Sequence, residues 1–374
     1  MFWSSSNWRV MTVSGSILVL LTLMDAFEVV LLPRTVRRRM KINRYFFRLT
    51  WLGWAWLGLR LKPGRRREDF LAVYGPLSMV ALFGLWATCL IVGFGLVQWS
   101  LLQSGAEGRG LAGQIIVSGD AFFTLGYGDN VPHARLARFL VILEAGTGFG
   151  FIALTIGYLP VLYQHFTRRD VQLIEFSLRA GTPASTLQLL AWHAQGGQDG
   201  LERWLARWES WAAELIESHA AYPMLAFYRS QHEGHSWVGA LTTVMDVCGL
   251  VIAGAHAGQR HQAAATFAAL RRTLVEVGDA LLSDEAAGDG GRSLDADTRE
   301  RIGAAMRAIL PDWREDAAAA TGIDSLRRHY EPRVTRLAAY LLLPLPCWDS
   351  PTAMAKDSFG REAVLERLTD RHSP

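Results

Sequence analysis

The chain has 374 residues, of which 50% are hydrophobic and 14 are tryptophan, so it is long enough for more than one domain and more apolar than most soluble proteins. Its net charge of +3 hides an asymmetry, because residues 1–167 hold 16 Lys and Arg against 8 Asp and Glu, whereas residues 168–374 hold 22 against 27. Its three cysteines form no Cys-x-x-Cys pair, which argues against a disulfide framework and a zinc knuckle.

The first element in chain order is an apolar stretch over residues 10–33. It is long enough to cross a bilayer, which takes about 20 residues of helix. It lacks the cleavage site of a secretory signal, so we interpret it as a retained anchor. Asp25 and Glu28 lie within it, and because charge is costly in lipid we expect both to pack against protein or to reach the inner interface.

A short Trp-rich stretch lies between two basic clusters, residues 34–48 and residues 60–67. The positive-inside rule places both clusters on the cytoplasmic side. The apolar residues between them, 49–59, cover only about half the length needed to cross a bilayer. They predict an amphipathic interfacial helix, with a fourth span as the alternative. Its tryptophans at headgroup level would be Trp51, Trp54 and Trp56.

Two further apolar stretches, residues 71–102 and residues 136–166, are long enough to span. The first runs outward from the cytoplasmic side and the second returns, so residues 103–135 face the outside. This outer segment contains a helix-sized stretch, residues 111–123, followed by two glycines around a tyrosine. Non-helical backbone exists at membrane depth only where protein or a water-filled path satisfies its polar groups. The pattern predicts a short helix that dips into the membrane and turns on glycines.

Residues 124–129, which read Thr-Leu-Gly-Tyr-Gly-Asp, resemble the selectivity filter of potassium channels, which usually reads T-V-G-Y-G-D. The resemblance extends over residues 71–166 and implies a bacterial potassium channel with one pore loop per chain. The implied fold is an all-α membrane protein with a tetrameric pore module, an extra N-terminal transmembrane helix, an interfacial helix and an all-α cytoplasmic domain. The implied partners are three further copies of the chain and the lipid bilayer.

The chemistry of such a filter requires these residue types. A dehydrated K⁺ ion is held by consecutive carbonyls that face one axis, and glycine adopts the necessary dihedrals most readily, hence Gly126 and Gly128. Thr124 adds its hydroxyl below the lowest site, and Asp129 concentrates cations at the outer mouth. The implied filter residues are Thr124, Leu125, Gly126, Tyr127 and Gly128, with K⁺ held at the first four.

The resemblance also implies roles for residues around the filter. Asp120 corresponds to a pore-helix carboxylate that contacts Asp129 from behind, and Gly148 to the glycine at which the inner helix bends. Pro160 removes a helical hydrogen bond and predicts a kink, which places a gate between Gly148 and Pro160. Glu144 is a candidate functional carboxylate within the inner helix. Two alternatives stay open for it, lining the water path or contacting a neighbouring helix.

Two other glycine pairs, in residues 92–96 and residues 147–151, also look like filters but lie inside continuous apolar runs. We predict that they let neighbouring helices approach closely. The sequence departs from the usual potassium-channel pattern at three positions. Phe123 stands where a second Thr is common, and Ile116 and Val117 stand where an aromatic pair often braces the pore helix. These changes affect the expected rigidity of the filter and leave its carbonyls in place.

From residue 168 onward, apolar residues recur with helical spacing, which predicts an all-α domain. It has no G-x-G-x-x-G turn, no cyclic-nucleotide-binding strands and no EF-hand loop, so no motif identifies its cytoplasmic ligand. Trp204, Trp208 and Trp211 share one helical face and predict a core or subunit-interface stripe. Residues 236–255 are apolar enough to imitate a span, but the central Asp246 favours a buried core helix.

These expectations define three domains. Residues 1–70 hold the first span and the interfacial helix, residues 71–167 the pore, and residues 168–374 the cytoplasmic regulatory domain. The predicted function is passive K⁺ conduction in a bacterial plasma membrane, with the C-terminus in the cytoplasm and the inner-helix gate controlled by the cytoplasmic domain. We predict no enzymatic activity, no nucleic-acid partner and no cofactor besides permeant K⁺. The alternatives are a receptor that uses the pore module as a tetrameric scaffold and a weakly selective cation pore.

Overall fold

The chain folds into helices. The computed structural model describes residues 7–30, 42–102, 110–128, 134–182, 184–194, 198–230, 232, 234–254, 257–282, 296–309, 313, 317–346 and 348. Regular structure in these ranges consists of twelve α-helices and one short 3₁₀ helix. The chain divides into two compact units, the first comprising Met1–Lys62 and Val73–Gln164, and the second Pro63–Ala72 and His165–Pro374.

The first unit is built from the first five helices. They are α1 (Asn7–Val30), α2 (Ile42–Leu59), α3 (Arg65–Leu102), α4 (Leu111–Phe122) and α5 (Arg135–Ala180). The first residues of α3 and the last residues of α5 belong to the second unit. The predicted spans over residues 71–102 and 136–166 therefore fall within α3 and α5, and the predicted dipping helix is α4. The first predicted span, residues 10–33, lies in α1 up to Val30, and its last residues lie outside the described part of the chain.

Among the described residues, four helices are long and apolar enough to cross a membrane, judged by length and composition, so the chain is a multi-pass membrane protein. They cover Trp8–Val30, Arg65–Leu101, Arg135–Ala180 and Trp237–Gly254. The last differs from the others because 89% of its apolar window is buried inside the chain, against 11% for the helix that starts at Arg135. This burial agrees with the core helix expected around Asp246.

Close contacts at glycines bring α1 and α4 against α3. A Cβ atom on Gly15 of α1 would lie 2.7 Å from the carbonyl oxygen of Gly93 on α3, and one on Gly95 would lie 3.0 Å from Ile115 Cγ1 on α4. Real Cβ atoms need more room than this, so both helix pairs depend on glycine. The prediction that the glycines of residues 92–96 pack helices is confirmed.

Two polar residues of α1, Thr12 and Asp25, form hydrogen bonds with α3. The indole N–H of Trp86 donates a 2.9 Å hydrogen bond to Asp25 Oδ2, and the hydroxyls of Thr12 and Ser100 are 2.7 Å apart. Asp25 is buried. It therefore packs against protein, as expected for a carboxylate within an apolar helix.

The tryptophans of α2 do not share one environment within the chain, and their location at headgroup level stays a prediction. Trp51 is 1% exposed and its ring packs against Tyr74 of α3, with ring centroids 4.9 Å apart. The Tyr74 hydroxyl donates to the backbone carbonyl of Phe47 at 2.9 Å, which fixes α2 on α3. Trp56, by contrast, is exposed and carries the guanidinium of Arg60 over its ring at 3.6 Å.

The described part of the second unit is helical, as predicted. After the end of α5 it contains α6 (Thr186–Ala194), α7 (Gln198–Ala221), the 3₁₀ helix Pro223–Phe227, α8 (Trp237–Gly254), α9 (Ala257–Leu281), α10 (Ala296–Ile309), α11 (Ala317–Arg328) and α12 (Glu331–Leu341). Helix α8 lies at the centre and packs against α6, α9, α11 and α12. Trp204, Trp208 and Trp211 of α7 are buried within this unit, so the tryptophan stripe belongs to its core.

A carboxylate lies in the middle of α8, the most apolar helix of this unit. Asp246 is buried and accepts a hydrogen bond from the hydroxyl of Tyr330, which is itself buried. The pair satisfies a polar group that would otherwise be orphaned in the core.

Replacing Tyr330 with Phe removes one donor to Asp246 and no packing volume. We expect Tyr330→Phe to lower the free energy of unfolding by about 1–3 kcal/mol, measured by denaturant unfolding of the full-length protein followed through tryptophan fluorescence. Asp279→Asn is the control, since Asp279 forms a half-exposed ion pair with Arg333 at 3.3 Å and should change stability by less than about 1 kcal/mol. Equal effects of the two changes would contradict the role of the buried hydrogen bond.

Candidate functional site

The loop after α4 is held by the last turn of that helix. The backbone N–H groups of Phe123, Thr124 and Leu125 donate to carbonyls of α4 at 3.0, 3.1 and 2.9 Å. The N–H of Tyr127 donates to Asp120 Oδ1 at 3.2 Å. Asp120 therefore lies directly behind the loop backbone. Its predicted contact partner, Asp129, lies outside the described residues.

The loop backbone alternates in handedness. The φ angles are +53° at Thr124, +70° at Gly126 and +77° at Gly128, and the two residues between them do not have positive φ. Residues whose φ alternates in sign turn successive peptide planes over, so that their carbonyls face one side of the chain. Gly126 and Gly128 adopt these angles at no steric cost.

Thr124 was not expected to adopt positive φ. The left-handed region is an outlier for a β-branched residue and costs about 1–2 kcal/mol. The sequence signal was available, since Thr124 lies two residues before Gly126, in phase with the two glycines.

The carbonyls of this loop are unoccupied by hydrogen bonds from the described part of the chain. The backbone hydrogen bonds of the loop use its N–H groups as donors, and among the described residues no backbone N–H donates to an oxygen of residues 124–127. The side chains of Leu125 and Tyr127 are 54% and 69% exposed in the single chain. The loop thus offers a row of free carbonyl oxygens, which is the ligand type that suits alkali cations.

Glu144 lies on α5 and contacts two neighbouring helices, not a water path within the chain. It is fully buried, with Gln98 Nε2 of α3 donating to its Oε2 at 2.6 Å and the hydroxyl of Ser118 of α4 in contact with its Oε1. Ser118 Oγ also lies 2.7 Å from the carbonyl oxygen of Ile91 on α3. Gln98 and Ser118 were missed from the sequence, although both interrupt apolar runs and so carried a signal.

Gly148 is the residue at which α5 crosses the C-terminal end of α4. A Cβ atom there would lie 2.0 Å from the carbonyl oxygen of Phe122. Close approach therefore requires glycine at this position, and α5 continues as a helix through both Gly148 and Pro160. Bending at Gly148 and a gate beside Pro160 stay predictions.

Residues 86–164 match the profile of a family described as an ion channel. The matched segment begins within α3, includes α4 and its loop, and ends within α5. A search of curated proteins gave no match for the chain, and a search of solved structures gave none either. The segment is an ion-channel domain, and its family is one of channels, not of enzymes.

The contact at Gly148 gives a test of how α5 supports the end of α4. Gly148→Ala should push α4 away and lower the midpoint temperature of unfolding in detergent, because the added methyl meets backbone and not a flexible side chain. Gly150→Ala is the matched control, since its Cβ meets no atom within 4 Å in the chain and alanine favours a helix by about 1 kcal/mol. The two changes should shift the midpoint in opposite directions. A neutral Gly148→Ala would contradict the close approach.

Proposed function

We propose that the chain is a potassium-selective channel that conducts K⁺ passively through a homotetrameric pore in a bacterial plasma membrane. The observation that carries this proposal is the loop backbone of residues 124–128, in which φ is positive at Thr124, Gly126 and Gly128. Four such loops around one axis would form rings of carbonyl oxygens. Each ring can replace part of the hydration shell of a K⁺ ion.

Conduction would use sites formed by Thr124, Leu125, Gly126 and Tyr127. Binding at each site must be strong enough to dehydrate the ion, and repulsion between ions at neighbouring sites must be strong enough to release it. The C-terminal end of α4 directly precedes these sites and carries the partial negative charge of the helix dipole, which favours a cation. Asp129 would add negative charge at the outer mouth.

Assembly as a homotetramer is supported by what one chain lacks. It has one filter sequence, whereas a ring of ligands requires several. Leu125 and Tyr127 are exposed in the single chain, and so are large apolar side chains of α5 such as Phe139, Ile142 and Phe149. Neighbouring subunits and lipid would cover these surfaces.

Control of the inner helix by the second unit is supported by how the ends of α3 and α5 are held. Arg169, in the part of α5 that belongs to the second unit, is buried, and its guanidinium donates to the carbonyls of Leu225 and Tyr228 at 2.7 and 2.5 Å. Glu68, in the first turn of α3, pairs with Arg229. A rearrangement of the second unit would therefore act on both membrane helices. We propose a cytoplasmic location for this unit and for the C-terminus.

K⁺ uptake by liposomes that contain the purified protein, with Na⁺ as the competing ion, tests the proposed function. Gly126→Ala should reduce K⁺ uptake at least about tenfold, because alanine at positive φ costs about 1–2 kcal/mol in each of four subunits. Gly84→Ala, in α3, is the matched control and should retain uptake, since its Cβ meets no atom within 4 Å.

Each alternative function predicts its own outcome in the same assay. Comparable Na⁺ and K⁺ uptake would indicate a weakly selective cation pore. No uptake by confirmed tetramers, with or without residues 168–374, would instead favour a receptor that uses the pore module as a scaffold.

The control exerted by the second unit has a separate test. Arg169→Met removes the donors to Leu225 and Tyr228, and we expect it to change the K⁺ flux at least about fivefold while the K⁺/Na⁺ ratio stays constant. Arg168→Met is the control, because Arg168 is exposed and loses the same charge. A matching change in both variants, or a lower K⁺/Na⁺ ratio in Arg169→Met, would contradict control through this anchor.

A further inference from the structure

Three buried polar side chains join α3, α4 and α5 within the first unit. We name Gln98, Ser118 and Glu144 the Glu144 cluster. Their side chains are 2%, 0% and 0% exposed. The cluster makes three hydrogen-bonding contacts, from Gln98 Nε2 to Glu144 Oε2, between Ser118 Oγ and Glu144 Oε1, and from Ser118 Oγ to the carbonyl of Ile91.

The hydrogens in this cluster can be counted. A serine hydroxyl has one hydrogen to donate, and an ionised carboxylate and a carbonyl have none. If Glu144 were ionised, Ser118 Oγ would face two acceptors, Glu144 Oε1 and the carbonyl of Ile91, with one hydrogen between them. One of two close oxygen contacts would then lack a hydrogen. A buried contact of that kind is repulsive and leaves an acceptor unsatisfied.

A protonated Glu144 satisfies every contact. Its Oε1–H donates to Ser118 Oγ, the hydroxyl of Ser118 donates to the carbonyl of Ile91, and Gln98 Nε2 donates to the carbonyl Oε2 of Glu144. Each of the three contacts then contains one hydrogen, and every donor runs in the same direction. With protonated Glu144, every contact in this chain of hydrogen bonds has a donor and an acceptor. With ionised Glu144, one contact would lack a donor.

The charges around the cluster agree with a neutral side chain. Residues 71–102 of α3 contain no charged residue, and the one ionisable residue of α4 is Asp120, which is acidic. On α5 the nearest basic residue before Glu144 is Arg138, which is exposed. The ionisable residues of α1, which packs on α3, are Arg9, Asp25 and Glu28, with Asp25 bound by Trp86. An unpaired carboxylate buried in such surroundings is far more costly than a neutral acid.

We infer that Glu144 is a protonated positioning residue, whose carboxylic acid group fixes α4 between α3 and α5. Its effect reaches the filter loop through α4. Ser118 lies two residues before Asp120, and Asp120 accepts the hydrogen bond from the N–H of Tyr127. The proton on Glu144 therefore helps to fix α4, and α4 carries Asp120, which supports the loop. The protonation of Glu144 does not depend on the proposed function. Its consequence for ion selectivity does rest on the proposed function.

Infrared spectroscopy of the full-length protein in liposomes tests the protonation directly. The difference spectrum of wild type minus Glu144→Gln should contain the carbonyl stretching band of a protonated carboxylic acid at neutral pH. Gln98→Leu keeps Glu144 and should shift this band, because Oε2 loses its donor. Loss of an ionised-carboxylate band in Glu144→Gln, or an unshifted acid band in Gln98→Leu, would overturn the inference.

Flux measurements test the positioning role with two substitutions at one site. Glutamine can donate its N–H to Ser118 and accept from Gln98, as the acid does, whereas leucine can do neither. We expect the K⁺/Na⁺ flux ratio of Glu144→Leu to fall at least about tenfold below that of Glu144→Gln. Equal losses in both variants would show that the hydrogen bonds of a neutral side chain do not maintain selectivity, which overturns the inference.

Stability provides a measurement that does not depend on conduction. Ser118→Ala should lower the midpoint temperature of unfolding more than Ser78→Ala does. Ser78 is also a buried serine, but its hydroxyl donates within α3, to the carbonyl of Gly75. Equal shifts of the midpoint in the two variants would contradict the role of Ser118 in joining the helices. If wild-type protein conducted no K⁺, the proposed function would fail, while the infrared band would still decide whether Glu144 is protonated and these midpoints whether Ser118 links the helices.

Discussion

A backbone that leaves helical geometry at membrane depth must find its hydrogen-bond partners in protein, because lipid offers none. The loop after α4 meets this requirement for its N–H groups but not for its carbonyl oxygens. The N–H groups of residues 123–125 and of Tyr127 bond to the end of α4 and to Asp120, which leaves the carbonyl oxygens to a ligand. A cation is the ligand that such a row of oxygens suits. The alternating φ angles follow from the same division, since they turn the carbonyls away from the N–H groups.

The position of the loop depends in turn on α4, which is a short helix with little contact area of its own. Three features hold it: the contact of Gly95 with Ile115, the contact of Gly148 with Phe122, and the Glu144 cluster. The first two allow backbones to approach, and the third fixes the helix by directed bonds. A helix held in this way cannot slide or rotate without breaking polar contacts that lipid would not replace.

Apolar length and glycine pattern were enough to predict α1, α3, α4 and α5, because bilayer thickness fixes how many apolar residues a span requires. The glycines of the filter were likewise predictable, since positive φ favours glycine. Other features depend on contacts that a linear pattern does not contain. Trp51 is buried because its ring packs against Tyr74 of another helix. Glu144 accepts a hydrogen bond from Gln98, which is 46 positions away in the sequence. The sequence predicts bending at Gly148, whereas the close approach of Gly148 to the carbonyl oxygen of Phe122 is visible only in the structure.

Magnitudes decide which of these contacts holds the first unit together. Interhelical hydrogen bonds in membranes contribute about 0.6 kcal/mol each, so those of Trp86 with Asp25, Thr12 with Ser100, and Glu144 with its two partners add only about 2–3 kcal/mol. The hydrophobic effect adds little between helices that are already in lipid. Close packing at glycine must therefore supply most of the stability, and the polar contacts supply register. All four of these hydrogen bonds join two of the helices α1, α3, α4 and α5. Those of Glu144 fix the register of α4, where an error would displace the carbonyl oxygens of the loop.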